Sequence, residues 1–184
     1  MSERRLGGVL SFVNEPLDTW VGETPNSRQP AIDGTPIRAL LPINPKLVPR
    51  SPLFDKPISV DDSLAYLRSL IGGPSADELR EGRIGLLFCA SCLDSSCGTL
   101  LAGDLAFDHG VARWMNIGFE EEHFWSMKRI GWGPFKRNVT DQPPAEWWTP
   151  QPFDPPIVIE FDEAQYRAAV ASEIDRTQKL KEST

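Results

Sequence analysis

Cys89, Cys92 and Cys97 are the only three cysteines of this 184-residue chain, and they fall within nine residues of one another. A thiolate is a nucleophile, a redox group and a soft metal ligand. Such close grouping therefore favours metal binding, redox pairing or nucleophilic chemistry over a role in packing alone. The segment follows a short apolar run, 84–88, that predicts a buried strand. These residues indicate a kind of chemistry without naming a substrate.

A zinc site is the first interpretation of this cysteine segment. Two thiolates at Cys-x-x-Cys spacing can reach one tetrahedral zinc from a single tight turn, and Cys97 can add a third ligand from the same segment. Closed structural sites use four ligands, so one more must come from elsewhere. We expect His123 to supply it.

The choice of His123 depends on a β-hairpin that follows the cysteines. The runs 99–107 and 111–119 have the composition of two strands separated by a short turn. Pairing Phe107 with Val111 aligns apolar residues on one face of the ribbon. The same pairing brings His123 back beside the cysteine segment.

The other possible fourth ligands are weaker. His109 lies in the turn Asp108-His109-Gly110, about 33 Å along the strand from Cys97 at roughly 3.3 Å per residue, so we exclude it. Asp94 and Glu121 are oxygen alternatives, and zinc in cysteine-rich sites prefers sulfur and imidazole. The acidic run that contains Glu121 is more typical of a solvated strand end, because its side chains alternate between faces.

Two other interpretations of the thiols stay open. They can be reduced, partly buried turn residues, since free cysteine is commonly buried. They can also act in redox chemistry, but the motif leads into Leu93-Asp94-Ser95-Ser96, which does not predict a helix whose dipole would lower a thiol pKa. We find no nucleophile elbow, phosphate loop or zinc-protease motif, and we predict no catalytic residues and no cofactor besides zinc.

Composition limits the remaining classes. The length predicts a single domain, 1–184. A formal charge of −7 disfavours binding to nucleic acid, which needs dense Lys and Arg. The N-terminus predicts neither a signal peptide nor a membrane span. We therefore expect a cytoplasmic protein, where an odd number of clustered cysteines favours metal or free thiols over a disulfide.

The predicted fold is α+β, an antiparallel sheet with two main helices and proline-rich peripheral arms. The proline-rich region 1–57 is expected to form strands and arms. The α+β core is predicted over 58–176, with an irregular part at 125–156. The polar region 177–184 is predicted to be a frayed tail. Outside the hairpin, the sequence predicts strands at Gly7–Val13, Ile37–Leu41, Ile84–Phe88 and Ile157–Phe161. It predicts three helices: one that starts after Ser59 and ends at Gly72-Gly73, a short one at Ser75–Arg80, and a final one capped by Asp162.

Two aromatic stretches suggest contacts with other molecules. Trp147 and Trp148 lie between prolines, and adjacent side chains of an extended segment point in different directions. One of them can serve a protein partner, or the arm can wrap its own domain. The stretch 124–137 mixes basic and aromatic residues, which can bind nucleic acid, but we expect these aromatics to cover the edge of the core.

The chain resembles a family of small bacterial proteins that has no established activity. Members carry a Cys-x-x-Cys-x-Asp-x-x-Cys-Gly loop, a strand with Trp and a closing Phe-Asp-x-x-x-Tyr helix start. The matching pieces are Phe88-Cys89-Ala90-Ser91-Cys92-Leu93-Asp94-Ser95-Ser96-Cys97-Gly98, Val111-Ala112-Arg113-Trp114, Gly118-Phe119-Glu120, Gly133-Pro134-Phe135 and Phe161-Asp162-Glu163-Ala164-Gln165-Tyr166. The resemblance covers roughly 84–171, with 136–156 as an insertion, and it implies no catalytic residues.

The sequence thus predicts a non-enzymatic binding or interaction protein with a three-cysteine segment that can hold structural zinc. The alternative is an enzyme that uses Cys89, Cys92 and Cys97 for redox or metal-dependent chemistry.

Overall fold

The computed structural model describes residues 2–15, 27–43, 51–54, 59–74, 79–88, 100–122, 128–130, 137–139 and 148–182. The proline-rich segments 16–26 and 44–50 lie outside these ranges. The strands of the described part are β1 (Arg4–Gly7), β2 (Leu10–Glu15), β3 (Ser27–Ile32), β4 (Thr35–Pro36), β5 (Leu53–Phe54), β6 (Arg83–Phe88), β7 (Leu100–Asp108), β8 (Val111–Glu122), β9 (Lys128–Ile130), β10 (Arg137–Val139), β11 (Trp148–Pro152) and β12 (Ile157–Asp162). The helices are α1 (Ile37–Leu40), α2 (Val60–Ser69) and α3 (Glu163–Glu182).

The α+β class is confirmed. A six-stranded sheet has the order β1-β12-β8-β7-β6, and β11 pairs with the far half of β8. Its pairings are antiparallel except for the parallel pair of β1 and β12. The long strand β8 therefore has β7 along one side, while β12 and then β11 share the other. None of the helices in the described ranges combines the length and the apolar character that a membrane crossing requires.

A second sheet contains β2, β3, β4 and β5, and β9 pairs with β10 in a separate ribbon. The sequence predicted one strand over 7–13, but the chain passes from the first sheet to the second at Gly8. Its φ is +154°, and a side chain there would bring Cβ within 2.4 Å of the Asp33 carboxylate. That close approach requires glycine and explains why one predicted strand is two.

The helices and both sheets share one hydrophobic cluster. Trp114 of β8 and Tyr166 of α3 are fully buried, and the Trp114 indole donates to the Tyr166 hydroxyl at 3.1 Å. The Tyr166 hydroxyl in turn donates to the Leu70 carbonyl at 2.6 Å, at the end of α2. Burial raises the pKa of Tyr166, an effect that the Trp114 bond partly opposes. The hydroxyl thus stays neutral and ties the sheet to both long helices.

Tyr66 of α2 satisfies a backbone group of the edge strand β6. The ladder between β6 and β7 skips Leu86, where the register shifts. The Tyr66 hydroxyl donates to the Leu86 carbonyl at 3.0 Å. A buried carbonyl without a partner would destabilise the fold, so this hydrogen bond stabilises the irregular part of the ladder.

The predicted boundaries of the long helices are confirmed at their starts. Ser59 caps α2 by accepting from the Asp62 amide at 3.3 Å, and Asp162 caps α3 by accepting from the Gln165 amide at 2.9 Å. The predicted stop of the first helix is also confirmed, with Gly72 at φ +90°. The apolar spacing also predicted one face of each helix: Leu64, Leu67, Leu70 and Ile71 at α2, and Tyr166, Val170, Ile174 and Thr177 on α3. All of these residues are buried except Ile71 and Ile174, which are partly buried. The short helix predicted for 75–80 lies largely outside the described residues.

The hairpin of β7 and β8 is confirmed, but its predicted register is wrong. Val111 pairs with Asp108, one residue from the predicted partner Phe107. The reason is a two-residue turn in which both His109 and Gly110 have positive φ, +49° and +79°, as type I′ hairpins require. A bulge near Gly103 shifts the register once more.

Three further predictions of local structure are wrong. The segment 37–41 is helical over its first four residues, because Ile37 and Leu41 are both buried and their spacing of four matches a helical turn. The irregular part, 125–156, contains β11, whose prolines are tolerated because it pairs on one side only. The frayed tail is helical to Glu182, and the Lys181 ammonium lies 2.9 Å from an Asp61 carboxylate oxygen on α2.

Candidate functional site

The strand ends that flank the cysteine segment meet at one end of the large sheet. Phe88, the last residue of β6, pairs with Leu100, the first of β7. One residue further, Leu101 pairs with Phe119 of β8. The segment 89–99 therefore leaves and re-enters the described structure at adjacent positions, beside the end of β8.

The predicted metal ligands themselves lie outside the described residues. These are Cys89, Cys92, Cys97 and His123, together with the weaker alternative Asp94. Among the described side chains, no group of three or more His, Cys, Asp and Glu residues is placed to hold a metal ion. The zinc site thus stays a prediction.

His109 lies in the turn at the other end of the hairpin. Its side chain is 91 % exposed and contacts only the Asp108 carboxylate among the described residues. The turn is separated from Leu100 by the whole of β7, roughly 27 Å at about 3.3 Å per residue. The predicted hairpin-tip location of His109 is confirmed.

Glu120 and Glu121 lie on opposite faces of β8, as the alternation predicted. The Glu121 side chain is exposed and accepts a hydrogen bond from the Gln151 amide at 3.2 Å. Glu120 is 2 % exposed, so the prediction of a solvated polar edge is wrong at this position. Its carboxylate lies against the Arg83 guanidinium of β6.

Arg83 is the centre of a charged network that joins three strands. Its Nε donates to Glu120 Oε1, and its Nη1 donates to Asp104 Oδ1 at 3.0 Å and to the Asn116 carbonyl at 3.3 Å. The Arg83 side chain is 1 % exposed, and the Glu120 side chain has no exposed surface. Arg80 reaches the same Asp104 carboxylate from the surface, with Nη2 at 3.0 and 3.1 Å from its two oxygens.

The pKa values of the two carboxyl groups of this network shift in opposite directions. Burial raises the pKa of Glu120, and the Arg83 charge and hydrogen bond only partly offset that effect. Burial also acts to raise the pKa of Asp104, but hydrogen bonds from Asn116, Arg80 and Arg83 outweigh it and lower the pKa. Asp104 is therefore firmly ionised near neutral pH.

A backbone irregularity accompanies the network. Asn116 has φ +49° and lies in a bulge of β8, where Asn116 and Ile117 together lie opposite Gly103 of β7. Its side-chain amide donates to Asp104 Oδ2 at 2.8 Å. Asparagine tolerates this conformation better than most residues. The irregularity turns the Asn116 carbonyl toward Arg83. The arrangement fixes β6, β7 and β8 relative to one another.

No pattern in the sequence predicted this network. Arg83 precedes an apolar run whose predicted strand starts at Ile84, and Asp104 lies within a predicted strand of mostly apolar residues. Arg83 and Asp104 come together only because of the register of the β6–β7 and β7–β8 ladders, each of which contains an irregularity. No local pattern of residues indicates these irregularities.

Trp148 belongs to the fold of its own chain. It begins β11, pairs with Glu122 and packs partly buried against the core. Trp147 lies outside the described residues, as does most of the basic and aromatic stretch 124–137. A contact between this region and a protein partner stays a prediction.

Comparison with known proteins gave no match: no protein family, no curated protein and no solved structure is detectably similar to this chain.

Proposed function

We propose that this chain is a non-enzymatic binding domain whose segment 89–99 holds one structural zinc ion. The ligands would be Cys89, Cys92, Cys97 and His123. A closed site of three thiolates and one imidazole would fix the connection between β6 and β7 as a rigid surface for a partner. The proposal includes a reducing compartment such as the cytoplasm, where the thiols stay free of disulfides.

The pairing of Phe88 with Leu100 is the observation that carries this proposal. It means that the cysteine segment is anchored at both ends to neighbouring strands. Because β8 runs beside β7 and ends at Glu122, residue 123 follows the same end of the sheet. All four proposed ligands thus attach to one end of one sheet, although up to 34 positions separate them in sequence.

The charged groups of the described part support a binding role over catalysis. Arg83 contacts both Asp104 and Glu120, and the three residues lie on three adjacent strands. Such an arrangement serves to hold the sheet, because the Arg83 guanidinium joins its strand to the other two. The partner surface would include the zinc-bound segment and Trp147, which directly precedes β11 in the sequence.

Native mass spectrometry of the intact protein, with and without a chelator, tests the metal. We expect one zinc per chain, lost on chelation, and thiols that react slowly with iodoacetamide until the zinc is removed. A chain without zinc whose thiols react rapidly near neutral pH would contradict the proposal and favour redox chemistry. Bound zinc with a thiol that stays reactive would point to a metal-dependent enzyme.

The two histidines of the chain provide a matched control. We expect His123→Asn to weaken zinc binding by about 10-fold or more, because it removes one of four ligands. His109→Asn removes the exposed histidine of the hairpin turn and keeps a residue that tolerates positive φ. This control should leave zinc affinity unchanged. Equal effects of the two substitutions would rule out His123 as the fourth ligand.

A further inference from the structure

A cavity of about 350 Å³ lies between the end of α2 and the ends of β6 and β7 that are farthest from the cysteine segment. Its lining includes Leu79, Arg80, Glu81, Ile84, Leu105 and Phe107. Small-molecule sites in proteins occupy roughly 300–1,000 Å³, so this cavity suits a small ligand.

The inner wall of the cavity is apolar and not fully covered by the protein. Leu79 and Ile84 are buried. Leu105 and Phe107 lie on the side of β7 that faces the helices, where Phe107 contacts the Tyr166 ring, yet both remain only partly buried. An apolar group in the cavity would cover this remaining surface, and its burial would be favourable.

Arg80 provides a cationic group at the rim that is already held in place. Its side chain is half exposed, and Asp104 binds it through Nη2 alone. Its Nε and Nη1 make no hydrogen bond with the described residues. A guanidinium has five N–H donors in a rigid plane, so Arg80 keeps N–H donors at Nε and Nη1 that can pair with a carboxylate oxygen.

The charges around the cavity are compatible with an anion. Asp104, which orients Arg80, is shared with Arg83 and Asn116, so its negative charge is largely neutralised. The Arg167 guanidinium lies 3.9 Å from the centre of the Phe107 ring, and its charge is paired with Glu163 at 2.8 Å. Glu81 is the acidic lining residue, and because it is exposed to solvent its charge is screened.

From these observations we propose that the cavity binds a small carboxylic acid with a compact apolar body. The carboxylate pairs with Arg80, and the apolar body lies between Leu79, Leu105 and Phe107. This site is independent of the proposed zinc segment, since the two are at opposite ends of β6 and β7. Loss of zinc should therefore leave ligand binding unchanged.

Benzoate and its neutral analogue benzamide test the proposal in methyl NMR titrations of the intact protein. We expect benzoate to shift the methyl signals of Leu79, Ile84 and Leu105 in a saturable way, with a dissociation constant on the order of 1 mM or tighter. Benzamide should bind at least 10-fold more weakly, because it cannot form the charged pair. Equal binding of both compounds, or no saturable shift at these methyls, would overturn the proposal.

Substitutions distinguish a specific site from general attraction of anions. Arg80→Gln should weaken benzoate binding by about 10-fold or more. Arg80→Lys should have an intermediate effect, because lysine keeps the charge without the planar set of guanidinium donors. The control is Arg5→Gln, which removes another exposed arginine in an ion pair on the far edge strand. It should leave binding unchanged. Leu105→Phe should weaken benzoate binding, because the larger side chain fills the cavity. Equal losses of benzoate binding in the Arg5 and Arg80 variants would contradict the role of Arg80.

Discussion

At the scale of single residues, the guanidinium of Arg83 is a charge that is almost fully removed from water. Removing a charge from water costs several kcal/mol unless partners replace the lost hydration. Glu120, Asp104 and the Asn116 carbonyl are those partners. Each lies on a strand different from that of Arg83, so the charge is satisfied only when β6, β7 and β8 have their native register. The network therefore favours one alignment of the three strands over shifted ones.

The pKa of Asp104 gives this network a dependence on pH. Since the folded-state pKa lies below the ordinary value of 3.8, the carboxylate contributes its full stability above about pH 4 and loses it as the pH falls through the folded-state pKa. We expect Asp104→Asn to lower the free energy of unfolding by about 2–3 kcal/mol at pH 7, because it leaves Arg80 and Arg83 short of an anion. Urea denaturation at pH 7 and pH 3 measures this, and the deficit should be smaller at pH 3.

Asp61→Asn is the control for that experiment. Asp61 also forms an ion pair, with Lys181, but its side chain is 79 % exposed. The substitution should change stability by less than about 0.5 kcal/mol. A deficit in the Asp104 variant that stays the same from pH 7 to pH 3 would contradict the role of its charge.

Residue patterns could predict the chemistry of the cysteines but not the surroundings of Arg83. Three thiols at metal-binding spacing are visible in the sequence because their meaning depends on local spacing. The ion pair of Arg83 with Glu120 joins positions 37 apart through two irregular ladders. The cavity beside Arg80 is likewise formed by residues of α2, β6 and β7. Contacts of this kind depend on tertiary structure and leave no local signal.

At the scale of elements, the sequence predicted best where a cap or a turn fixes the boundary. Ser59, Asp162 and the His109-Gly110 turn each determine local geometry through their own backbone or side-chain bonds. It failed where tertiary contacts decide the outcome. The short helix at 37–40 forms because Ile37 and Leu41 both enter the core, and β11 forms because half of β8 has no other partner on that side.

Pairing of β11 with β8 depends on Gly118. A Cβ at this position would lie 2.0 Å from the Gln151 carbonyl oxygen, far inside contact distance. We expect Gly118→Ala to separate β11 from β8 locally and to lower the free energy of unfolding by about 2 kcal/mol or more. Hydrogen exchange should then accelerate at the Thr149 and Gln151 amides, while the pairing of β12 with β8 keeps its protection.

Gly7→Ala is the matched control on another strand of the same sheet. A Cβ at Gly7 would lie 3.3 Å from the Glu160 carbonyl oxygen, a distance that a shift of a few tenths of an ångström relieves. The cost should stay below about 1 kcal/mol. If both alanine variants showed the same exchange rates in β11, Gly118 would have no special role in its pairing.

At the scale of the whole molecule, α3 connects the two sheets. Tyr166 near its start binds Trp114 in the large sheet, and Glu173 two turns later binds Arg28 in the second sheet. The Arg28 guanidinium donates to both Glu173 oxygens at 2.7 Å and also to the Phe12 carbonyl at 3.0 Å. A bidentate pair of this kind is both strong and directional. It links β2, β3 and α3 at a single point.

We expect Glu173→Gln to lower the free energy of unfolding by about 3 kcal/mol, because Arg28 is mostly buried and loses its anion. The loss should be local, so native-state hydrogen exchange should accelerate first in β2 and β3 and later in β7 and β8. Glu163→Gln removes an exposed pair with Arg167 on the same helix and should cost about 0.5 kcal/mol. If the Glu173 variant lost protection equally in both sheets, the second sheet would depend on the rest of the core rather than on this ion pair.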